Sequence, residues 1–370
     1  MFLTSNLIIS TITIFVLSAC FGSFFKLVID RYNTNESVIN KKSHCSKCLK
    51  ELLWWQNIPI LSYIILKGKC HFCKSKIDDS CLYTEFFTAL IPTVIFIILS
   101  YKGIAIQKQI ILLPFILILI LLSIFDLKHR IIPHSITYSA IAFAILFCFI
   151  FKGESLYRIF ANLGIAFASM DFLYYLSGII KKYKVDINNF HPILFLWSFF
   201  YFFTNDITLV LFLIAMYSFI NKIELSENFL KKFTLLSFLI LVIQILKFTI
   251  FTFDIQNLII YLSGIGLIYF FCEIVYYPLQ LISSVRHTNE TSSPEEIGIG
   301  GGDITVFALI SVILGYNLGF LTLFLASLLA IISHLIIKAV KGSQKREKGI
   351  PFVPFLAISC FIIIIGFYVF

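Results

Sequence analysis

The chain has 370 residues, of which 59% are apolar and 13% charged, with a mean hydropathy of +0.95. A soluble domain carries about a quarter charged residues, so this composition excludes an ordinary cytosolic globule and a disordered chain alike. The net charge of +9 does not point to nucleic acid, because the aromatic residues sit inside apolar runs with no interleaved Lys or Arg.

The fold class expected is an all-α polytopic membrane protein with a small cytoplasmic loop domain, its apolar surface facing lipid. Twelve apolar segments follow in order: 7–29, 82–101, 109–126, 135–151, 159–180, 190–203, 206–221, 233–253, 257–282, 303–319, 320–339 and 351–370. Most match the length of about 20 residues that a membrane-crossing helix needs. The first lacks a basic lead-in and a small-residue cleavage site, so it reads as retained rather than removed. The pair at 190–203 and 206–221 is short, and reads as tilted helices, a re-entrant pair or one broken helix. With the N-terminus outside, 24 of the 29 Lys and Arg fall on the inner side and 4 in outer loops, among them Lys102 and Lys152. That asymmetry is the positive-inside pattern, and it sets the orientation.

The chain is expected to divide into 1–29, a first transmembrane helix, 30–80, a cytoplasmic four-cysteine domain, and 81–183, a membrane core with the first catalytic aspartate. A hydrophobic block at 184–282 follows, then 283–370 with a polar loop and the last membrane helices. No internal repeat is evident. Ser343–Lys348 reads as a basic topology anchor.

In the cytoplasmic loop stand Cys45-x2-Cys48 and Cys70-x2-Cys73. Two such turns can complete a tetrahedral thiolate site, so Cys45, Cys48, Cys70 and Cys73 are expected to hold a structural Zn²⁺. His44 and His71 adjoin these ligands. The other five cysteines fall in or beside apolar segments and read as packing residues.

Carboxylates within apolar segments are costly and therefore informative. Asp126 ends the third segment, and Asp303 opens the tenth after Gly300-Gly301-Gly302. The intervening six segments are an even number, which puts both aspartates at the inner face. Two carboxylates at close range cannot both ionise, the arrangement of an aspartic protease. Gly300 and Gly302 would let a substrate backbone approach. The bland readings are a solvated helix end for Asp126 and a helix cap for Asp303. Asp171 reads as an interhelical polar contact; Asp186, Asp206 and Asp254 read as solvated.

Together these residues resemble the type IV prepilin peptidases. Gly22-Ser23-Phe24-x3-Val28-x2-Arg31 is similar to that family's N-terminal signature. Asn57-Ile58-Pro59 and Leu66-Lys67-Gly68-Lys69-Cys70 follow, and Glu85 falls where the family carries a glutamate. Asp126-x5-Ile132-Pro133, Gly300-x-Gly302-Asp303 and Ile350-Pro351-Phe352-x-Pro354 resemble its remaining motifs. Departures are Ser80-Cys81-Leu82 after the cysteines, His134 after Pro133, Thr305 and Val353, and above all the extra block at 184–282.

The resemblance implies a membrane aspartic endopeptidase of the bacterial inner membrane, with Asp126 and Asp303 catalytic. Its partners would be prepilin or pseudopilin substrates, cleaved after a glycine at the cytoplasmic face. It also raises methylation of the new N-terminus from S-adenosylmethionine, although no glycine-rich methyl-donor fingerprint is present. Two alternatives stand beside it. One is an intramembrane protease of the presenilin or signal-peptide-peptidase kind; the other is a proton-coupled transporter using the two aspartates.

Overall fold

The computed structural model describes residues 2–32, 34, 37–38, 40–181, 191–204, 227–251, 254–276, 300–341 and 350–367, with a few isolated positions between. Nearly all of it is helical, as a chain in lipid must be to satisfy its backbone internally. The helices are α1 Phe2–Arg31, the short α2 Leu61–Ile65, α3 Asp79–Tyr101, α4 Ile106–His129, α5 His134–Phe151 and α6 Leu156–Lys181. Then come α7 His191–Thr204, α8 Glu227–Leu246, α9 Ile255–Tyr269, α10 Gly301–Leu314, α11 Tyr316–Lys341 and α12 Val353–Phe367.

Seven helices are long and apolar enough to cross a membrane, and the stretches 234–250, 301–314 and 353–367 are shorter apolar helices. The seven are a count among the described residues, to be set beside the twelve segments expected. Most of 206–221, Asp186, Asp206, the loop from 283 to 299 and Ser343–Lys348 lie outside the described residues.

One expected boundary moves. The division between the tenth and eleventh segments falls at Gly315, not at 319, because Gly315 takes φ +82°, a conformation a side chain resists. α10 is therefore only 14 residues long, with Asp303 in its first turn.

The chain forms two compact units, residues 1–131 with 357–370, and residues 132–356. In the first, α1 packs along α3. Gly22 makes this possible, since a Cβ there would stand 2.8 Å from the Cα of Glu85. Lys102 donates to the carbonyl of Ile365 at 2.6 Å, near the C-terminal end of α12. In the second unit α6 packs along α9, and α10 lies against α5, α6 and α11. Lys152 donates to the carbonyl of Ile313 at 2.7 Å, at the end of α10. Both lysines assigned to outer loops thus satisfy carbonyls that a helix C-terminus leaves open.

The described part of residues 184–282 belongs to this second unit. Gly164 of α6 faces Gly266 of α9, where a Cβ would come within 1.9 Å of the Phe160 carbonyl oxygen. Small residues that let backbones meet are the usual glue of helices in lipid. Trp197, Tyr201 and Tyr261 are fully buried among α7, α8 and α9. Ser198 and Tyr261 share a hydrogen bond of 2.8 Å, and the Gln244 amide donates to the Ser198 carbonyl at 3.2 Å. Asp254, expected to be solvated, is half-buried and caps α9 by accepting from the Asn257 N–H at 3.0 Å.

Candidate functional site

The loop after α1 is pinned at its start by Arg31, whose guanidinium donates to the carbonyls of Ser37, Lys41 and Lys42 at 2.7–3.1 Å. Two turns of the same design follow. The Cys45 N–H donates to the Lys50 carbonyl and the Cys45 carbonyl accepts from the Leu49 N–H, while the Cys70 N–H donates to the Ser75 carbonyl and the Cys70 carbonyl accepts from the Lys74 N–H. Leu49 and Lys74 both hold positive φ, 58° and 57°, and the bridges His44–Glu51 and Lys69–Lys76 close the two turns. This is a short structural repeat that the sequence shows only in its paired cysteines. Outside the paired cysteines the two turns share little side-chain identity.

The turns converge. The sulfurs of Cys45, Cys48, Cys70 and Cys73 all lie within 4.8 Å of one another. Four thiolates at the usual zinc–sulfur distance stand about 3.8 Å apart, so the set fits one tetrahedral ion. Burial opposes ionisation of Cys45, yet the Cys48 and Lys47 N–H groups and the neighbouring Cys70 and Ser75 side chains bring its thiol down to about 6. Cys73 is lowered by the Ser75 hydroxyl and N–H. Cys48 is pushed up to about 11 despite a hydrogen bond from Lys50, because burial and the adjoining Cys73, Cys45 and Cys70 favour its thiol form. Neither histidine joins the cluster. His44 Nδ1 stands 3.3 Å from the Lys42 carbonyl, and His71 meets Trp55 and Phe72 edge-on.

Beyond the first turn, Pro59-Ile60-Leu61 forms a tight turn in which Leu61 N–H donates to the Pro59 carbonyl at 2.6 Å. Ile60 sits there at φ 63°, ψ −52°, the classical γ-turn conformation that is rare and strained for a β-branched residue. Its N–H donates to the carboxylate of buried Glu85 on α3 at 2.7 Å. Glu85, noted in the sequence only by its place, therefore holds this strained turn.

Asp126 is 6% exposed on the last turn of α4. That helix stops at Arg130, which takes a left-handed conformation and donates its N–H to the Asp126 carbonyl. The helix end is fastened to α1. Lys128 pairs with Asp30, His129 Nε2 stands 3.0 Å from the Ile29 carbonyl, and Phe125 meets Tyr32 edge-on at 5.3 Å.

Asp303 lies in the other unit. Its Oδ2 accepts from the Gly300 N–H at 3.1 Å, so the carboxylate caps the start of its own helix. The glycines before it sit against the Ile132-Pro133-His134 segment. A Cβ on Gly302 would stand 2.6 Å from Ile132, and one on Gly301 would stand 4.0 Å from His134 Cε1.

Four further polar residues lie in this unit. Asp171 accepts from the Tyr269 hydroxyl at 2.6 Å, the interhelical contact expected of it. Tyr138 donates to Glu273 at 3.1 Å. Glu273 and Tyr138 drew no attention in the sequence. A lone glutamate inside an apolar run was the available signal.

Residues 16–99 match the family model described as the bacterial peptidase A24 N-terminal domain. That span contains the signature around Gly22, the four cysteines and Glu85. The chain is 33% identical over 124 residues to a prepilin leader peptidase/N-methyltransferase of Myxococcus xanthus, covering 34% of this chain and 36% of that protein. A protein of the same name from Vibrio cholerae is 29% identical over 142 residues, covering 36% of this chain and 54% of its own length. The type 4 prepilin-like proteins leader peptide-processing enzyme of Escherichia coli is 29% identical over 134 residues, 31% of this chain and 48% of that protein. The matches thus span about a third to a half of these relatives. No solved structure matches. The family model and the relatives together support the type IV prepilin peptidase family, to which the motifs pointed.

Proposed function

We propose that the chain is an aspartic endopeptidase of the bacterial inner membrane that removes the leader of type IV prepilins or pseudopilins. The observation that carries this reading is the packing of Ile132 on Gly302. It sets the residue before Asp303 against a segment only six residues beyond Asp126 in the chain. The relatives' names supply the substrate class.

In this reading one proton is shared by Asp126 and Asp303, because two adjacent carboxylates cannot both be charged. The ionised partner takes a proton from water, and the resulting hydroxide adds to the scissile carbonyl. The protonated partner donates to the carbonyl oxygen. Collapse of the tetrahedral intermediate breaks the C–N bond, and the leaving amine takes a proton from the dyad. Gly300, exposed and without a side chain, leaves room for the substrate backbone.

Cys45, Cys48, Cys70 and Cys73 would hold Zn²⁺. With four thiolate ligands the ion has no open position, so it would brace the loop and take no part in proteolysis. The N-terminus would lie outside, with the zinc loop and the aspartates at the cytoplasmic face. The relatives' names also include N-methyltransferase; methylation of the new N-terminus from S-adenosylmethionine is the corresponding second activity of this proposal.

The deciding experiment is to incubate membranes holding the wild type or Asp303→Ala with a prepilin. The leader should be lost with wild type only, and the mass of the product reports any added methyl group. Equal processing by both proteins would overturn the reading.

A further inference from the structure

We propose that Glu273, supplied by the extra block, is a positioning residue for the turn that carries Asp303, acting through Tyr138 and His134. This rests on the proteolytic reading above. A carboxylate inside an apolar segment is expensive to keep there, so it marks function by default. Glu273 lies in Phe270–Tyr276, a π-helical continuation of α9, and π segments are frequent at functional sites.

The contacts run in one direction. The Tyr138 hydroxyl donates to Glu273 Oε2 at 3.1 Å. Tyr138 is 5% exposed and lies one turn after His134 on α5, with the two rings stacked at 5.3 Å and 26°. His134 Cε1 in turn stands 4.0 Å from where a Cβ on Gly301 would be. The chain of contacts thus reaches His134, two residues after Ile132, and a Cβ on Gly302, the residue just before Asp303, would stand 2.6 Å from that isoleucine. A second anchor lies one helical turn back from Glu273, where Tyr269 donates to Asp171 at 2.6 Å. That bond and the Gly164–Gly266 approach fix the depth of α9 against α6. Glu273 is thereby delivered to Tyr138 at a set height. The extra block supplies an anchor for α5 and, through it, for the first turn of α10.

A plain interhelical contact would hold α5 to the π segment and nothing more. The test separates the two. Prepilin cleavage kinetics are measured on the purified full-length protein for Glu273→Ala, Glu273→Gln and Tyr138→Phe. Tyr138→Phe keeps the ring that stacks on His134, while Gln keeps an oxygen that accepts from Tyr138. Hydrogen–deuterium exchange over residues 300–306 is followed on the same samples.

Glu273→Ala and Tyr138→Phe should each lower kcat about tenfold with KM unchanged, since misplacing a catalytic group costs rate rather than binding. Exchange over 300–306 should quicken about threefold in both as the turn loosens. Glu273→Gln should restore both values. Unchanged kcat and unchanged exchange in Glu273→Ala and Tyr138→Phe would overturn the proposal. So would a loss that Glu273→Gln does not recover. Retention of cleavage by Asp303→Asn would overturn the proteolytic reading instead, and the exchange result would then decide the linkage by itself.

Discussion

Gly302 and Ile132 meet so closely that a Cβ added to Gly302 would lie 2.6 Å from both the Cβ and the Cδ1 of Ile132. The Cβ of Ile132 is fixed to its backbone and cannot rotate away, and Gly302 lies within α10. The glycine before Asp303 is thus required by packing, a reason separate from substrate access. Gly300 differs, since a Cβ there would meet nothing nearer than the Asp303 carboxylate at 3.5 Å.

The two glycines should therefore behave differently. Gly302→Ala should lower stability by about 1–3 kcal/mol, the usual cost of forcing a group into a filled space. Gly300→Ala should leave the thermal unfolding midpoint in detergent unchanged while reducing prepilin cleavage. Equal midpoints for the two variants would contradict the packing argument.

Asp126→Asn and Asp303→Asn should each reduce cleavage by at least about 10²-fold, the typical contribution of positioned acid–base groups. Asparagine keeps an oxygen that can accept from the Gly300 N–H, so the helix start survives in Asp303→Asn. The loss then reports chemistry and not a missing cap. Membrane insertion and yield of both variants, measured alongside, should match wild type.

Purified protein should contain one Zn²⁺ per chain, held by the four sulfurs that lie within 4.8 Å of one another. Removing it with a chelator should open both cysteine turns, because the ion's binding energy is folding energy for so small a loop. Limited proteolysis should then cut between residues 40 and 78. Elemental analysis giving well under one zinc would refute the site.

Ile60 tests the strained turn. A β-branched residue held at φ 63° stores about 1–3 kcal/mol. Ile60→Gly should therefore raise the unfolding midpoint. Glu85→Ala should lower it and expose the Pro59–Leu61 turn to proteases, because Ile60 loses the acceptor of its N–H.

What the sequence by itself determined is the chemistry carried by neighbours in the chain. Apolar runs of helical length and the two Cys-x2-Cys spacings are short-range features, and each reads directly as a helix or a turn of paired thiols. Asp303 as a cap was legible for the same reason, since the cap spans three residues. The tertiary structure alone decided which faces meet. In lipid every face of a helix is apolar, so the hydrophobic pattern names no partner. Pairings such as Tyr138 with Glu273, 135 residues apart, and Ile60 with Glu85 depend on helix depth and rotation. Those are set by contacts such as Gly164 on Gly266, which local spacing does not reveal. The break at Gly315 needed the fold as well, because a single glycine in an apolar run ends a helix only where packing holds it at positive φ.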